Sequence, residues 1–408
     1  MLPDGWRQLP LDELVASLDA GVSVNAEDRP VQSNEAGVLK ISAVTSGTFD
    51  DSQNKAIRHA ELGRAAINPS ADRILVSRCN TEALVGASAY VADHFPNLYL
   101  PDKLWQLEPA KQNPPHMRWL SFWLASQATR EKLSKVATGT SGSMKNITKE
   151  QLLALDVPVP PVLEQRRIAS VLSTWDQAIA TTESLLANSR KQDEVLTNAL
   201  LQGKKRIGDY QGWTSKKLAD LIVESRFQGS GGDVARKITV KLYGRGVVGK
   251  SEKRLGSEST QYYRRTAGQF IYSKLDFLNG AFGRIPEHLD GYESTLDLPA
   301  FDFLPGVDPR WFLYFVSRED FYMSHLGLAN GGRKARRVNP SDLLRVSIQM
   351  PELAEQTVIA DVLDLALAEI NNFARQLRLL REQKAALMAQ LLTGKRRVNV
   401  DGLSEVAA

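Results

Sequence analysis

Cysteine is almost missing from this 408-residue chain. Cys79 stands alone, so no intramolecular disulfide can form, and the reducing cytoplasm is the compartment expected. Histidine is scarce as well: five are scattered along the chain, and with one cysteine they give no basis for a zinc site. Long apolar runs are absent. No stretch approaches the roughly 18 to 20 residues that span a bilayer, so no membrane partner is expected. The opening MLPDGWRQLPLDELV has neither a basic n-region nor an apolar h-region and does not read as a signal peptide. A strong charge of one sign is lacking too, since the net charge is only +4. That charge is unevenly spread: residues 208–351 carry 21 basic against 16 acidic side chains, whereas residues 1–160 carry 16 against 18. The basic block points only weakly to a polyanion. A hydrophobic fraction of 43% with 24% charge excludes large-scale disorder, and the length suits two or three domains.

What the chain does contain is a repeat of itself. Residues 147–207 and 338–398 align without a gap at an offset of 191, so that Leu152 matches Leu343, Glu164-Gln165 match Glu355-Gln356, and Gly203-Lys204 match Gly394-Lys395. A second pair of anchors, Gly5-Trp6 and Gly212-Trp213, is offset by 207. Each half is therefore a globule of differing sequence followed by a constant segment.

The constant segment has helical spacing. Ile168, Leu172, Trp175, Ile179, Thr182, Leu186, Ser189, Asp193, Leu196 and Leu200 advance by threes and fours. Ile359, Leu363, Ala366, Ile370, Phe373, Leu377, Leu380, Lys384, Leu387 and Leu391 repeat the pattern. A heptad stripe of this length predicts a coiled coil. Pro160-Pro161 and Pro351 precede the helices, and Gly203 and Gly394 follow them. Each helix should run about 39 residues, roughly 58 Å. Since one leads out of the first globule and the other leads back, an antiparallel pair is expected. Asp193 and Lys384 interrupt the two stripes at matching places. They either fix register inside the seam or point to solvent.

The globules read as mixed. ADRILVSRCN, ASAYVAD, KLWQLEP, KITVKLYG, GQFIYSKLD and TLDLPAFDF have strand character, whereas HMRWLSFWLASQ and DPRWFLYFVSRED read as helices. The expected architecture is α+β. Residues 1–160 form one recognition globule, 161–207 a long helix, 208–351 a second globule, 352–394 a second long helix and 395–408 a tail.

This order resembles the specificity subunit of type I restriction-modification systems, and the resemblance covers nearly the whole chain. It is carried by LDVPVPPVLEQRRIASVL and VSIQMPELAEQTVIADVL, and by ILVSRCNTEALVG and FIYSKLDFLNGAFGRIP. It implies two target recognition domains, each reading one short half-site of double-stranded DNA, with the helices as a spacer ruler. It also implies docking of two adenine-methylating modification subunits, and of motor-nuclease restriction subunits where these exist. S-adenosylmethionine, magnesium and ATP would belong to those partners, leaving this chain non-catalytic and without a cofactor or metal. Unlike globules imply an asymmetric bipartite target. The chain departs from a symmetric pattern where Thr357 and Val358 replace Arg166 and Arg167, and where the first globule is net acidic.

Polar and basic loop residues are the candidates for touching DNA. TGTSGSMKN supplies Thr138, Thr140, Ser141, Ser143, Lys145 and Asn146. Its counterpart NGGRKARR supplies Arg333, Lys334, Arg336 and Arg337. Arg78, Asn80 and Thr81 follow an apolar run, Lys274 follows the equivalent run, and Arg284 lies in GAFGRIP. Arginine and asparagine suit bidentate reading of guanine and adenine. Tyr243 and Arg245, with Arg226, Arg264 and Arg265, are weaker candidates. For every one of them a solvated surface or packing role is the alternative. The cations at the helix ends, Lys204-Lys205-Arg206 and Lys395-Arg396-Arg397, either meet phosphate or partner acids or cap the helix C-terminus.

Other motifs are decoys. Gly244 to Gly249 spells G-x-G-x-x-G, but KSEKRLGSEST after it is too polar and broken for the crossover helix of a dinucleotide fold. Asn113-Pro114-Pro115-His116 is similar to an adenine-methyltransferase motif, yet histidine is a poor base-stacking residue and no Gly-rich cofactor loop precedes it. A self-sufficient methyltransferase or nuclease therefore lacks its motifs. A coiled-coil scaffold without DNA binding is the other alternative, and two large, unlike heads argue against it.

Overall fold

The computed structural model describes residues 2–139, 144–251, 256–324, 327, 329–330 and 337–399. The chain forms two compact units. One comprises the chain up to Ser184 together with the segment from Ala374 onward, and the other is Leu185–Phe373.

In the first unit, strands β1 (Val15–Ala20), β2 (Arg73–Ser77), β3 (Ser88–Val91) and β4 (Leu104–Pro109) form an antiparallel sheet in the order β1-β4-β2-β3. The second unit repeats this with β5 (Ile222–Ser225), β6 (Phe270–Tyr272), β7 (Phe282–Arg284) and β8 (Ala300–Phe303), in the order β5-β8-β6-β7. A helix follows the last strand in each case, Met117–Ala125 and Pro309–Val316. The repeated anchors of the sequence pair with each other. Arg7–Pro10 lies antiparallel to Asp156–Val159, and Thr214–Lys217 lies antiparallel to Ser347–Met350. The units differ in what is inserted between the sheet strands. The first carries a separate sheet of Ala26–Glu27, Asn54–Ile57, Gly37–Leu39 and Leu98–Tyr99. The second carries the hairpin Ile238–Val240/Val247–Gly249 and a three-stranded sheet.

The long helices span Val162–Leu201 and Leu353–Leu391. Every residue of both heptad stripes is buried or half-buried. Within the first unit the start of one helix packs with the end of the other: Ile168 and Leu172 share a core with Leu391 and Leu392. Within the second, Leu200 and Leu201 share a core with Ile359 and Leu363. The helices thus run antiparallel in each unit. Both end in a left-handed glycine, Gly203 (φ +68°) and Gly394 (φ +73°). A two-bond cap closes each turn: Gly203 N and Lys205 N donate to the carbonyls of Leu200 and Ala199, and Gly394 N and Arg396 N to those of Leu391 and Gln390.

The Glu-Gln pair at each helix start is where the repeated parts converge. Gln165 is buried; its amide oxygen accepts from His116 N (2.8 Å) and its amide nitrogen donates to Pro160 O (2.8 Å). Gln356 does the same with Asp308 N (2.9 Å) and Pro351 O (2.9 Å). Each glutamine therefore ties a long helix to the N-terminus of its unit's short helix. Glu164 accepts from Trp6 Nε1 (3.1 Å) and Arg397 Nη2 (2.8 Å). Glu355 accepts from Trp213 Nε1 (3.2 Å) and Arg206 Nη2 (2.7 Å). Arg206 and Arg397 are thereby removed from the helix-end cations offered to phosphate, because each closes onto a buried carboxylate of its own unit.

Candidate nucleic-acid interface

In the first unit, Arg78 and Asn80 leave the end of β2. Cys79–Asn80 pairs antiparallel with Lys145–Asn146, setting Lys145 opposite Asn80 and Asn146 opposite Cys79. Thr138 exchanges two backbone bonds with Asn146, both 2.8 Å. Arg78 N donates to Lys103 O (3.0 Å), and Arg78 O accepts from Ile147 N (2.9 Å). The Asn80 side-chain oxygen accepts from Thr81 N (2.8 Å) and fixes the turn that exposes Thr81. Sheet pairing thus gathers Arg78, Asn80, Thr81, Thr138, Lys145 and Asn146 on one edge, although 64 residues separate the two strands in sequence. Arg78 is half-buried, and its Nε is buried with no hydrogen-bond partner among the described residues. Thr140, Ser141 and Ser143 lie outside the described residues.

The second unit builds the same edge. Lys274 N donates to Asp297 O (2.9 Å), and Lys274 O accepts from Val338 N (3.1 Å), so Lys274 stands where Arg78 stands and Arg337 where Asn146 stands. The buried Tyr272 hydroxyl donates to Val338 O (3.0 Å) and holds the Arg337–Val338 strand in place. Burial drives the Tyr272 phenol far above its ordinary range, so it serves as a neutral donor. Arg337 is exposed and 3.6 Å from Asp297. Arg333, Lys334 and Arg336 lie outside the described residues.

Tyr243 and Arg245 join this edge from the inserted hairpin. Tyr243 N and Gly244 N donate to Asn279 O (2.9 Å) and Gly280 O (2.8 Å), in the loop that follows Lys274. Gly244 to Gly249 therefore turns a hairpin instead of opening a helix. Arg284 is set apart from the cluster. It pairs with Phe270, four residues before Lys274 and about 13 Å away along the strand. One weaker candidate fails on geometry. Arg265 is fully buried, donating to Ser294, Ser225 O and Leu298 O, and desolvation lowers its pKa to about 10. Arg226 is exposed and paired with Glu224 at 2.9 Å.

The remaining sequence features fall in packing roles. His116 is a helix N-cap, its Nδ1 accepting from Trp119 N (3.4 Å), and burial lowers its pKa. Lys384 lies in the helical seam, where its ammonium donates to Asp176 beside the Phe122 ring (5.3 Å), and Arg118 Nη2 reaches the other oxygen of Asp176 at 2.8 Å. The solvent alternative for Lys384 is overturned. Among the described residues no group of acidic, histidine and cysteine side chains is arranged to hold a metal, and no helix is long and apolar enough to cross a membrane.

Residues 3–188 match the family model of the type I restriction modification DNA specificity domain. Over that segment the chain is similar to the type I specificity subunits. DNA recognition is the role that the matched description names for this segment.

Over 200 residues it is 26% identical to the type I restriction enzyme EcoEI specificity subunit of Escherichia coli, an alignment covering 49% of this chain and 34% of that relative. Over 406 residues it is 22% identical to the StySPI specificity subunit of Salmonella potsdam, covering 92% of this chain and 85% of that one. The chain also shares its fold with the type I S subunit structure from M. genitalium, with a TM-score of 0.58 and 14% identity over 96% of this chain and 97% of that one. A structure of HsdS from Thermoanaerobacter tengcongensis gives 0.54 and 18% over 97% and 98%.

The sequence singled out the edge residues by type but missed what holds them. Asp297 and Tyr272 carried no local signal. Gln165, Gln356 and the tryptophan–glutamate–arginine junctions were visible only as repeated letters.

Proposed function

We propose that this specificity subunit reads an asymmetric, bipartite double-stranded DNA target, one half-site with each edge, and directs adenine methylation, with restriction where a restriction subunit exists. The observation that carries it is the duplicated edge. One backbone frame presents Arg78, Asn80, Lys145 and Asn146 in one unit and Lys274 and Arg337 in the other. Conserved frames with different side chains suit two readers with different half-sites. The long helices set the spacer and dock two modification subunits; S-adenosylmethionine, magnesium and ATP belong to those partners. The single buried Cys79 fits work in the cytoplasm.

The test is co-expression with the adenine-methylating subunit encoded beside it, in a host free of other methylation, with modified adenines mapped by single-molecule sequencing. Two unlike short half-sites with a fixed spacer are expected. Methylation by this chain alone would overturn the non-catalytic role. An associated pair that gives no split motif would return the scaffold reading.

A further inference from the structure

We propose that Tyr243 is a wedge that opens a base step in the half-site read by the second unit. The proposal rests on the DNA-recognition reading and adds a residue that reads deformability. Tyr243 adopts φ +58°, the left-handed region in which a bulky side chain is strained. Such a cost is ordinarily offset by burial, yet Tyr243 is 67% exposed. A turn built only to connect two strands would be better served by glycine or asparagine at that position. The sequence has glycine on the next residue and keeps an exposed phenol here.

The turn is held firmly. Tyr243 N and Gly244 N are bonded to the 279–280 loop, Lys241 N donates to Gly246 O (2.8 Å), and Arg245 Nε donates to Leu242 O (3.1 Å). The Arg245 guanidinium lies 5.8 Å from the Tyr243 ring. A side chain added at Gly244 or Gly246 would meet nothing within 4 Å, so the backbone around the ring is open to a large partner. The turn's backbone is bonded to the 279–280 loop that follows Lys274, which brings the turn to the end of the sheet where that lysine stands. A rigid, exposed aromatic next to arginine and lysine has the chemistry to stack on a base at an opened step while the cations hold the flanking phosphates. The first unit carries a different insertion at this place, so the wedge would act on one half-site only.

The full chain and its Tyr243→Phe, Tyr243→Ala and Tyr243→Gly variants would be titrated onto a duplex bearing the mapped target. 2-Aminopurine would be placed in turn at each position of the second half-site. The unaltered chain and Tyr243→Phe should raise fluorescence at one step. Tyr243→Ala and Tyr243→Gly should lose that rise and about 10- to 100-fold in affinity. Tyr243→Gly, freed of strain, should keep or raise the thermal midpoint. Affinity within twofold for both truncations, or an unchanged fluorescence rise, would overturn the proposal. So would a loss of affinity that follows a falling midpoint, which would mark a structural residue. If the unaltered chain prefers its target no more than a scrambled duplex, the DNA-recognition reading fails and the wedge with it.

Discussion

Arg78 and Lys274 occupy one backbone position in the two units but differ in chemistry. A guanidinium offers a planar fork that matches the guanine edge, whereas an ammonium acts as a point charge. Arg78 is half-buried, and its Nε has no hydrogen-bond partner among the described residues. Arg78→Ala should therefore relax specificity in the first half-site, cutting the preference for the target over a base-substituted duplex by about 1–3 kcal/mol. Lys274→Ala should weaken binding alike on all sequences and reduce the slope of log affinity against log salt by about 1. Competition titrations at several salt concentrations separate the two, and an unchanged preference for Arg78→Ala would sink its reading role. Residue types were legible here from sequence. Arg265 shows the limit, since nothing in its neighbourhood of the chain announces that Ser225, Ser294 and Leu298 take up its buried guanidinium.

The long helices were legible as elements because their apolar spacing is local and long. Their polar interruptions were not, because each depends on the opposite helix and on the neighbouring globule. Lys384 meets Asp176 and is satisfied. Asp193, at the matching place, lines a cleft with Leu367 and Tyr314, and burial raises its pKa. A carboxyl whose folded pKa lies above its unfolded value favours the fold at low pH and loses that contribution as pH rises through the folded value. Asp193→Asn should accordingly raise the thermal midpoint at pH 7 by about 1–3 °C. The gain should shrink as pH falls through the carboxylate range. Calorimetry across pH 3 to 7 tests this, and a gain that grows toward acid would refute the assignment.

For the molecule as a whole, a ruler makes a length-dependent prediction. Residues facing each other across the helix pair can be removed together without shifting the heptad phase, for example Ile179–Leu185 with Arg375–Arg381. Seven residues correspond to about 10 Å of helix, or about three base pairs at 3.4 Å each. Methylation mapping should then show the spacer shortened by about three base pairs, or no methylation. Full activity at the original spacer would exclude the helices as the ruler.

By itself the sequence determined the duplication, the two long helices and their stops, the strand-bearing globules and the absence of a disulfide framework. These follow from copied letters, local periodicity and residue counts, all of which are read along one dimension. Only the tertiary structure decided which candidates share a surface. Asn80 reaches Lys145 through strand pairing, Tyr243 reaches the Lys274 edge through a hairpin pinned to a distant loop, and Arg284 is carried away by strand register. It likewise decided that Arg206 and Arg397 close onto buried glutamates 149 and 233 residues away. Such partners are fixed by sheet order and helix packing, whose contacts join residues too far apart in the chain for any local pattern to record.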